Sequence, residues 1–152
     1  MSNNMKKTLL LVTAGLLSTN VLASNFDDNQ EAIEYRKDVF GLIAYNFSDM
    51  KAMLKGEKDF NQQLFEIRAN NIKALSTMPW EGFIQGSDKG DTDAKADIWA
   101  DGAEFKQKAQ TFEQNVIKLV SAAQSGDKKA MKKSFGMTGR SCKSCHDDFK
   151  KD

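Results

Sequence analysis

Proline occurs once in these 152 residues, histidine once and cysteine twice. A single proline, Pro79, leaves long helices unbroken on either side of it. Two cysteines three positions apart close only a very small loop, so they cannot staple distant parts of a fold. One histidine with two cysteines is one ligand short of a structural zinc site, and the fourth would have to come from a carboxylate. No apolar run reaches the roughly 20 residues that a membrane-spanning helix needs. Neither charge sign dominates: without Lys6 and Lys7, 20 basic residues face 21 acidic ones. That balance gives no basic stripe suited to nucleic acid. Internal repeats, low-complexity tracts and alternating strand-like runs are absent as well.

What is present begins with MSNNMKKTLLLVTAGLLSTNVLASN. Lys6 and Lys7 form a basic start, Thr8 to Leu17 an apolar stretch, and Val21-Leu22-Ala23 a short-side-chain cleavage pattern. This order reads as a secretory signal over residues 1–23, cut after Ala23, and the alternative is a buried N-terminal helix or an uncleaved anchor. The remainder, 24–152, has the size of one ordinary domain.

Helical periodicity runs through that domain. From Asp28 to about Leu54, Ile33, Arg36 (through its stem), Phe40, Ile43, Phe47, Met50 and Leu54 recur at spacings of three and four, and Gly56 ends the run. A second helix carries Phe60, Leu64, Ile67, Leu75 and Met78 and stops at Pro79. The stretch PWEGFIQGSDKGDTDAKADIWAD is punctuated by Gly82, Gly86 and Gly90. Its Trp80, Phe83, Ile98 and Trp99 supply an apolar side, so it reads as a crossover or the wall of a site. A third helix places Phe105, Ala109, Phe112, Val116, Leu119 and Ala123 on one stripe and ends at Gly126. Asp127 then caps a fourth, with Met131, Phe135, Thr138, Cys142, Cys145 and Phe149 turned inward. The expected fold is all-α, an antiparallel four-helix bundle.

Both cysteines and the histidine lie together in CKSCH, six residues from the last position given. A redox dithiol needs its pair at a helix N-terminus after a strand, where the dipole lowers the first thiol's pKa. Here the pair sits near the end of the last helix of an all-helical chain. The remaining use of C-x-x-C-H needs all three residues: Cys142 and Cys145 form thioethers to the two vinyl groups of a haem, and His146 lies under the iron as its ligand. Export, which the N-terminal segment supplies independently, fits that chemistry. A second protein ligand is hard to find. Met5 leaves with the signal, and Met137 precedes His146 on the same helix. Met50, Met53, Met78 and Met131 fit core or helix-end positions. An iron with one protein ligand keeps an open face.

On EYRKDVFGLIAYNFSDMKAMLKG, MPWEGFIQGSDKGD and SFGMTGRSCKSCHDDFKKD, the chain resembles the cytochromes c prime, the class II c-type cytochromes, over essentially all of residues 24–152. The resemblance implies one covalent haem c on the C-terminal helix of a four-helix bundle, held by Cys142 and Cys145 with His146 as single axial ligand. It further implies that Arg36 lies beside a haem propionate, that Lys37 and Asp91 are haem-contact positions, and that Phe40 overhangs the open iron face. As plain residues, Lys37 reads equally as a surface charge, Asp91 as a turn or cap aspartate and Phe40 as a core aromatic. Arg36 shares a helical face with Phe40 and Ile43, where a buried cation calls for an anion. Four residues after the histidine, many relatives carry arginine; Lys150 keeps the charge without the planar fork.

The reading is a periplasmic c-type haem protein with five-coordinate iron, not an enzyme, that transfers electrons, binds small diatomic gases such as nitric oxide, or does both. A homodimer through the first helix, with Leu42 and Met53 outward, is what the resemblance implies; the redox partner is unspecified, and neither nucleic acid nor membrane is a partner. The alternatives are a haem peroxidase, disfavoured because Phe40 offers no base to peroxide, and a haem that merely completes a structural or interaction protein.

Overall fold

A computed structural model of the chain describes residues 25–151, and the expected signal segment 1–23 lies outside them. Four long helices make up most of the domain: α1 (Asn29–Lys55), α2 (Gln62–Leu75), α4 (Gly102–Ser125) and α5 (Lys128–Phe149). Between α2 and α4 come a 3₁₀ turn, Pro79–Gly82, and the single turn α3 (Asp97–Ala100). Local chemistry sets several of these ends. The Asp28 side chain accepts from Glu31 N, and Asp127 accepts from Lys129 N and Ala130 N, satisfying amides that have no partner inside their helices. Gly126 closes α4 with φ 71°, a left-handed conformation that a side chain would resist.

The close helix pairs are α4 with α5, α1 with α2, and α2 with α4; α1 and α5 share little backbone contact. The core they enclose is built from Val39, Ile43, Met50, Phe65, Ile72, Phe112, Val116, Leu119 and Met131, among others. Burying each of the larger of these side chains contributes about 1.5–3 kcal/mol. The α4 stripe falls where its periodicity placed it, with Ala109, Phe112, Val116, Leu119 and Ala123 buried. Two expectations need correction. On α2 the buried residues are Phe65, Ala69 and Ile72, whereas Ile67 and Met78 are exposed. The inward face is rotated by about one position, because α2 must meet α1 and α4 together. On α1, Met53 is buried at 3% exposure and so is not an outward residue; Leu42, at 54%, is.

A second, smaller apolar cluster gathers Ala94, Ile98 and Phe149, with Phe83, Trp99, Phe105 and Cys145 against it. It forms because the residues after α5 run back along the central segment. Lys95 N donates to Phe149 O at 3.0 Å, and Lys151 N donates to Asp93 O at 2.7 Å. Ala94 and Lys150 form one antiparallel bridge, and no longer strand occurs among the described residues.

Candidate haem-attachment site

Cys142 and Cys145 lie on the last two turns of α5, three residues apart and therefore on neighbouring parts of one face. Both are free thiols and half-buried. Cys142 packs against the main core and Cys145 against the smaller cluster, so the pair straddles the seam between them. Burial raises both thiol pKa values, that of Cys145 to about 11. A dithiol oxidoreductase needs the opposite shift, which removes that use of the pair. Among the described residues, no group of three or more His, Cys, Asp or Glu side chains is placed to hold a bare metal ion.

His146 follows at the solvent edge of the helix. Partial desolvation, with Lys150 one turn farther on, lowers its pKa and so favours the neutral imidazole, the form that binds iron; Asp147 opposes the shift. The Lys150 Nζ pairs with Asp93 at 3.0 Å, and its backbone N donates to His146 O.

The seam beside the thiols is walled by aromatic rings. Phe40 on α1 meets Trp80 edge-on at 5.8 Å and Phe83 at 6.3 Å. Phe83 meets Phe105 at 4.9 Å, and Phe105 meets Phe149 at 5.4 Å. Rings therefore run in succession from the first helix to the end of the last. The two helices approach each other at the far side of Cys142, where Phe47 and Phe135 stack at 4.0 Å. A Cβ at Gly139 would meet the Phe47 ring at 3.4 Å, an ordinary van der Waals contact.

Arg36 is buried at 3% exposure, and its partners are all in the central segment. Its Nη1 donates to Gly82 O at 2.7 Å and Ser87 Oγ at 2.6 Å; its Nη2 donates to Ser87 O at 2.6 Å and Thr92 Oγ1 at 2.8 Å. The guanidinium also lies 4.5 Å from the centre of the Phe83 ring. Every one of these acceptors is a neutral oxygen, so the anion that the sequence called for is replaced, within the protein, by four loop oxygens. Gly82 makes this closeness possible: a Cβ there would come within 2.8 Å of Ala32 O and 3.0 Å of the Arg36 Cβ. Lys37 and Asp91 meet each other, Nζ to Oδ2 at 2.6 Å, in an exposed ion pair. The sequence singled out both residues without foreseeing their pairing, and it gave no sign that Ser87 and Thr92 would receive Arg36.

These residues fit a haem. Two thiols and an imidazole sit on α5 beside a run of aromatic rings that reaches Phe40 on α1. Cys142 and Cys145 would hold such a group and His146 would ligate its iron.

Comparison with known proteins agrees. The family model for Cytochrome C' matches residues 31–150. A cytochrome c prime from Rubrivivax gelatinosus is 40% identical over 126 residues, covering 82% of this chain and 98% of the relative. Among solved structures, cytochrome c prime from Shewanella frigidimarina aligns with a TM-score of 0.83 at 55% identity, covering 84% of this chain and all of that one. A nitric oxide complex of a mutant cytochrome c prime from Alcaligenes xylosoxidans aligns at 0.79 and 37%, covering 84% and 98%. With its cysteine pair and histidine on the last helix of the shared bundle, the chain belongs to the cytochrome c prime family, periplasmic and non-catalytic proteins that bear one covalent haem c.

Proposed function

We propose that the protein is an electron carrier and nitric oxide binder whose iron has His146 as its only protein ligand and faces Phe40 on the other side. A haem c held there supplies a one-electron couple and an open coordination position for a neutral diatomic molecule. The observation that carries this reading is the placement of CKSCH against an aromatic seam with no competing thioether among the described residues. Met50, Met53 and Met131 are buried in the main core, Met78 is exposed beyond α2, and Met137 shares α5 with His146. The gas-bound relative from Alcaligenes xylosoxidans supports the ligand class.

The chain's own residues then have distinct tasks. Phe40, set among Trp80 and Phe83, presents hydrocarbon alone, so a bound ligand gains no hydrogen bond and polar ligands are disfavoured. The same apolar wall offers no base to peroxide, which favours the carrier over a peroxidase. Phe83 and Phe105 keep water from the seam beside Cys145. Arg36 fixes the 82–92 segment to α1 and keeps its charge near the rim, where a propionate would be received. Lys37, paired with Asp91, stands on the same edge.

Residues 1–23 act as the cleaved export signal, and the mature protein dimerises through α1, where Leu42 and Tyr45 are exposed. The ferrous spectrum with and without nitric oxide tests the central claim: high-spin five-coordinate iron that takes up nitric oxide is expected. A low-spin spectrum with a methionine-to-iron band would overturn it.

A further inference from the structure

The near-neutral total charge conceals strong sorting, with basic residues gathered on one helix. Between Lys128 and Lys143, α5 carries six basic residues and no acidic one, namely Lys128, Lys129, Lys132, Lys133, Arg140 and Lys143. All six are exposed. Lys128 lies over the Phe60 ring and Lys143 pairs with Asp147, whereas Lys129, Lys132, Lys133 and Arg140 have no ion-pair partner among the described residues.

This arrangement works against the helix that bears it. The lysines occupy the N-terminal turns, the positive end of the helix dipole. Lys128 with Lys132, and Lys129 with Lys133, are like charges at i,i+4 spacing, which is destabilising. A local rule broken without an internal compensation points to a use outside the chain. The spacing supplies the direction. Lys129, Lys133, Arg140 and Lys143 fall near one outer face, with Gly136 between, and run along the axis toward the CKSCH end of α5, on the side of the helix away from the two thiols. Lys133 is nine residues from Cys142, about 14 Å along the axis.

We propose that this basic face of α5 is the docking surface for an acidic patch on the protein with which the haem exchanges an electron. The proposal rests on the electron-carrier reading above and adds the partner's chemistry and the place where it binds. Charge of one sign on a surface chiefly speeds encounter and orients it, which is what a transient electron-transfer complex requires. A lipid surface fits less well, because stable membrane adsorption needs apolar side chains to insert. The exposed large hydrophobic residues, Leu42, Tyr45, Ile67, Met78 and Ile117, all lie off α5.

The test uses the reduced holoprotein and two oxidants in stopped flow. One is plastocyanin, an acidic copper protein; the other is the small cation tris(phenanthroline)cobalt(III). Each takes one electron, reducing Cu(II) to Cu(I) or Co(III) to Co(II) as the haem iron is oxidised. The triple variant Lys129→Glu, Lys132→Glu, Lys133→Glu removes no contact inside the fold, so its melting temperature should not fall. Its rate with plastocyanin at low ionic strength should drop roughly tenfold and lose its salt dependence. Its rate with the cobalt complex should hold or rise. An unchanged plastocyanin rate overturns the proposal. So does charge-dependent adsorption of the wild type to phosphatidylglycerol vesicles combined with an unchanged plastocyanin rate, which assigns the face to lipid instead. If neither oxidant takes an electron from the wild type, the electron-carrier reading fails, and the docking proposal with it.

Discussion

Replacing Arg36 with alanine tests how the central segment is held. The side chain makes four hydrogen bonds of 2.6–2.8 Å to Gly82 O, Ser87 Oγ, Ser87 O and Thr92 Oγ1, all without an opposing carboxylate. Hydrogen bonds from a charged donor are worth about 1.5–3 kcal/mol each when removed singly, and orphaned buried acceptors cost about 1–3 kcal/mol. These contributions do not add, because removal also relieves the desolvation of the cation and water can enter the gap. A net loss of about 3 kcal/mol follows, which for a domain of this size lowers the melting temperature by about 10 °C. The loss should be local in origin. Amide exchange at Ser87 and Thr92 should accelerate well before that of α4, since opening the segment leaves the main helices packed. Ser87→Ala should destabilise the wild type yet do almost nothing in the Arg36→Ala background, as residues in one network couple. Arg36→Lys should fall between the two, keeping the charge without the fork. Unchanged melting and unchanged exchange in Arg36→Ala holoprotein would falsify the clamp.

Phe40→Ala should speed carbon monoxide association to the ferrous holoprotein by at least roughly tenfold, because the ring that must move is gone; an equal rate would place Phe40 away from the ligand. Asp49 yields a pH prediction. Hydrogen bonds from Lys58 and Arg68 hold its pKa below the ordinary value of 3.8. A pKa lower in the folded state means that the unfolded chain binds the proton more readily. The stability advantage of wild type over Asp49→Asn is therefore full above the ordinary aspartate value and is lost as pH falls through the folded one. Urea unfolding midpoints from pH 6 down to pH 3 should converge for the two proteins, and a constant gap would refute the pairing.

Several parts of this structure were legible along the chain because the interactions that make them are short-range. Asp127 caps the helix that follows it, and Gly56 and Gly126 end the helices before them, through contacts spanning only a few residues. The α4 stripe was also correct, since that helix carries a regular apolar period on one face. Phase failed on α2, where Phe65 and not Ile67 is buried, and at Met53 on α1. A helix packed against two neighbours has a broad apolar face whose centre depends on their crossing directions.

The candidate site divides in the same way. CKSCH pointed to its chemistry by itself, because the two thiols and the imidazole that a covalent haem would take all lie within five residues of one helix, and a bundle needs no other signal than its periodicity. Only the tertiary structure decided that Arg36 reaches Gly82, Ser87 and Thr92, 46 to 56 residues away. It alone joined Lys37 to Asp91, turned Lys150 to Asp93, and set the cysteine pair on the seam between two apolar clusters. The first kind of information is carried by covalent spacing. The second exists only when the central segment folds back on α1 and α5, and no pattern within either helix encodes where that segment lands.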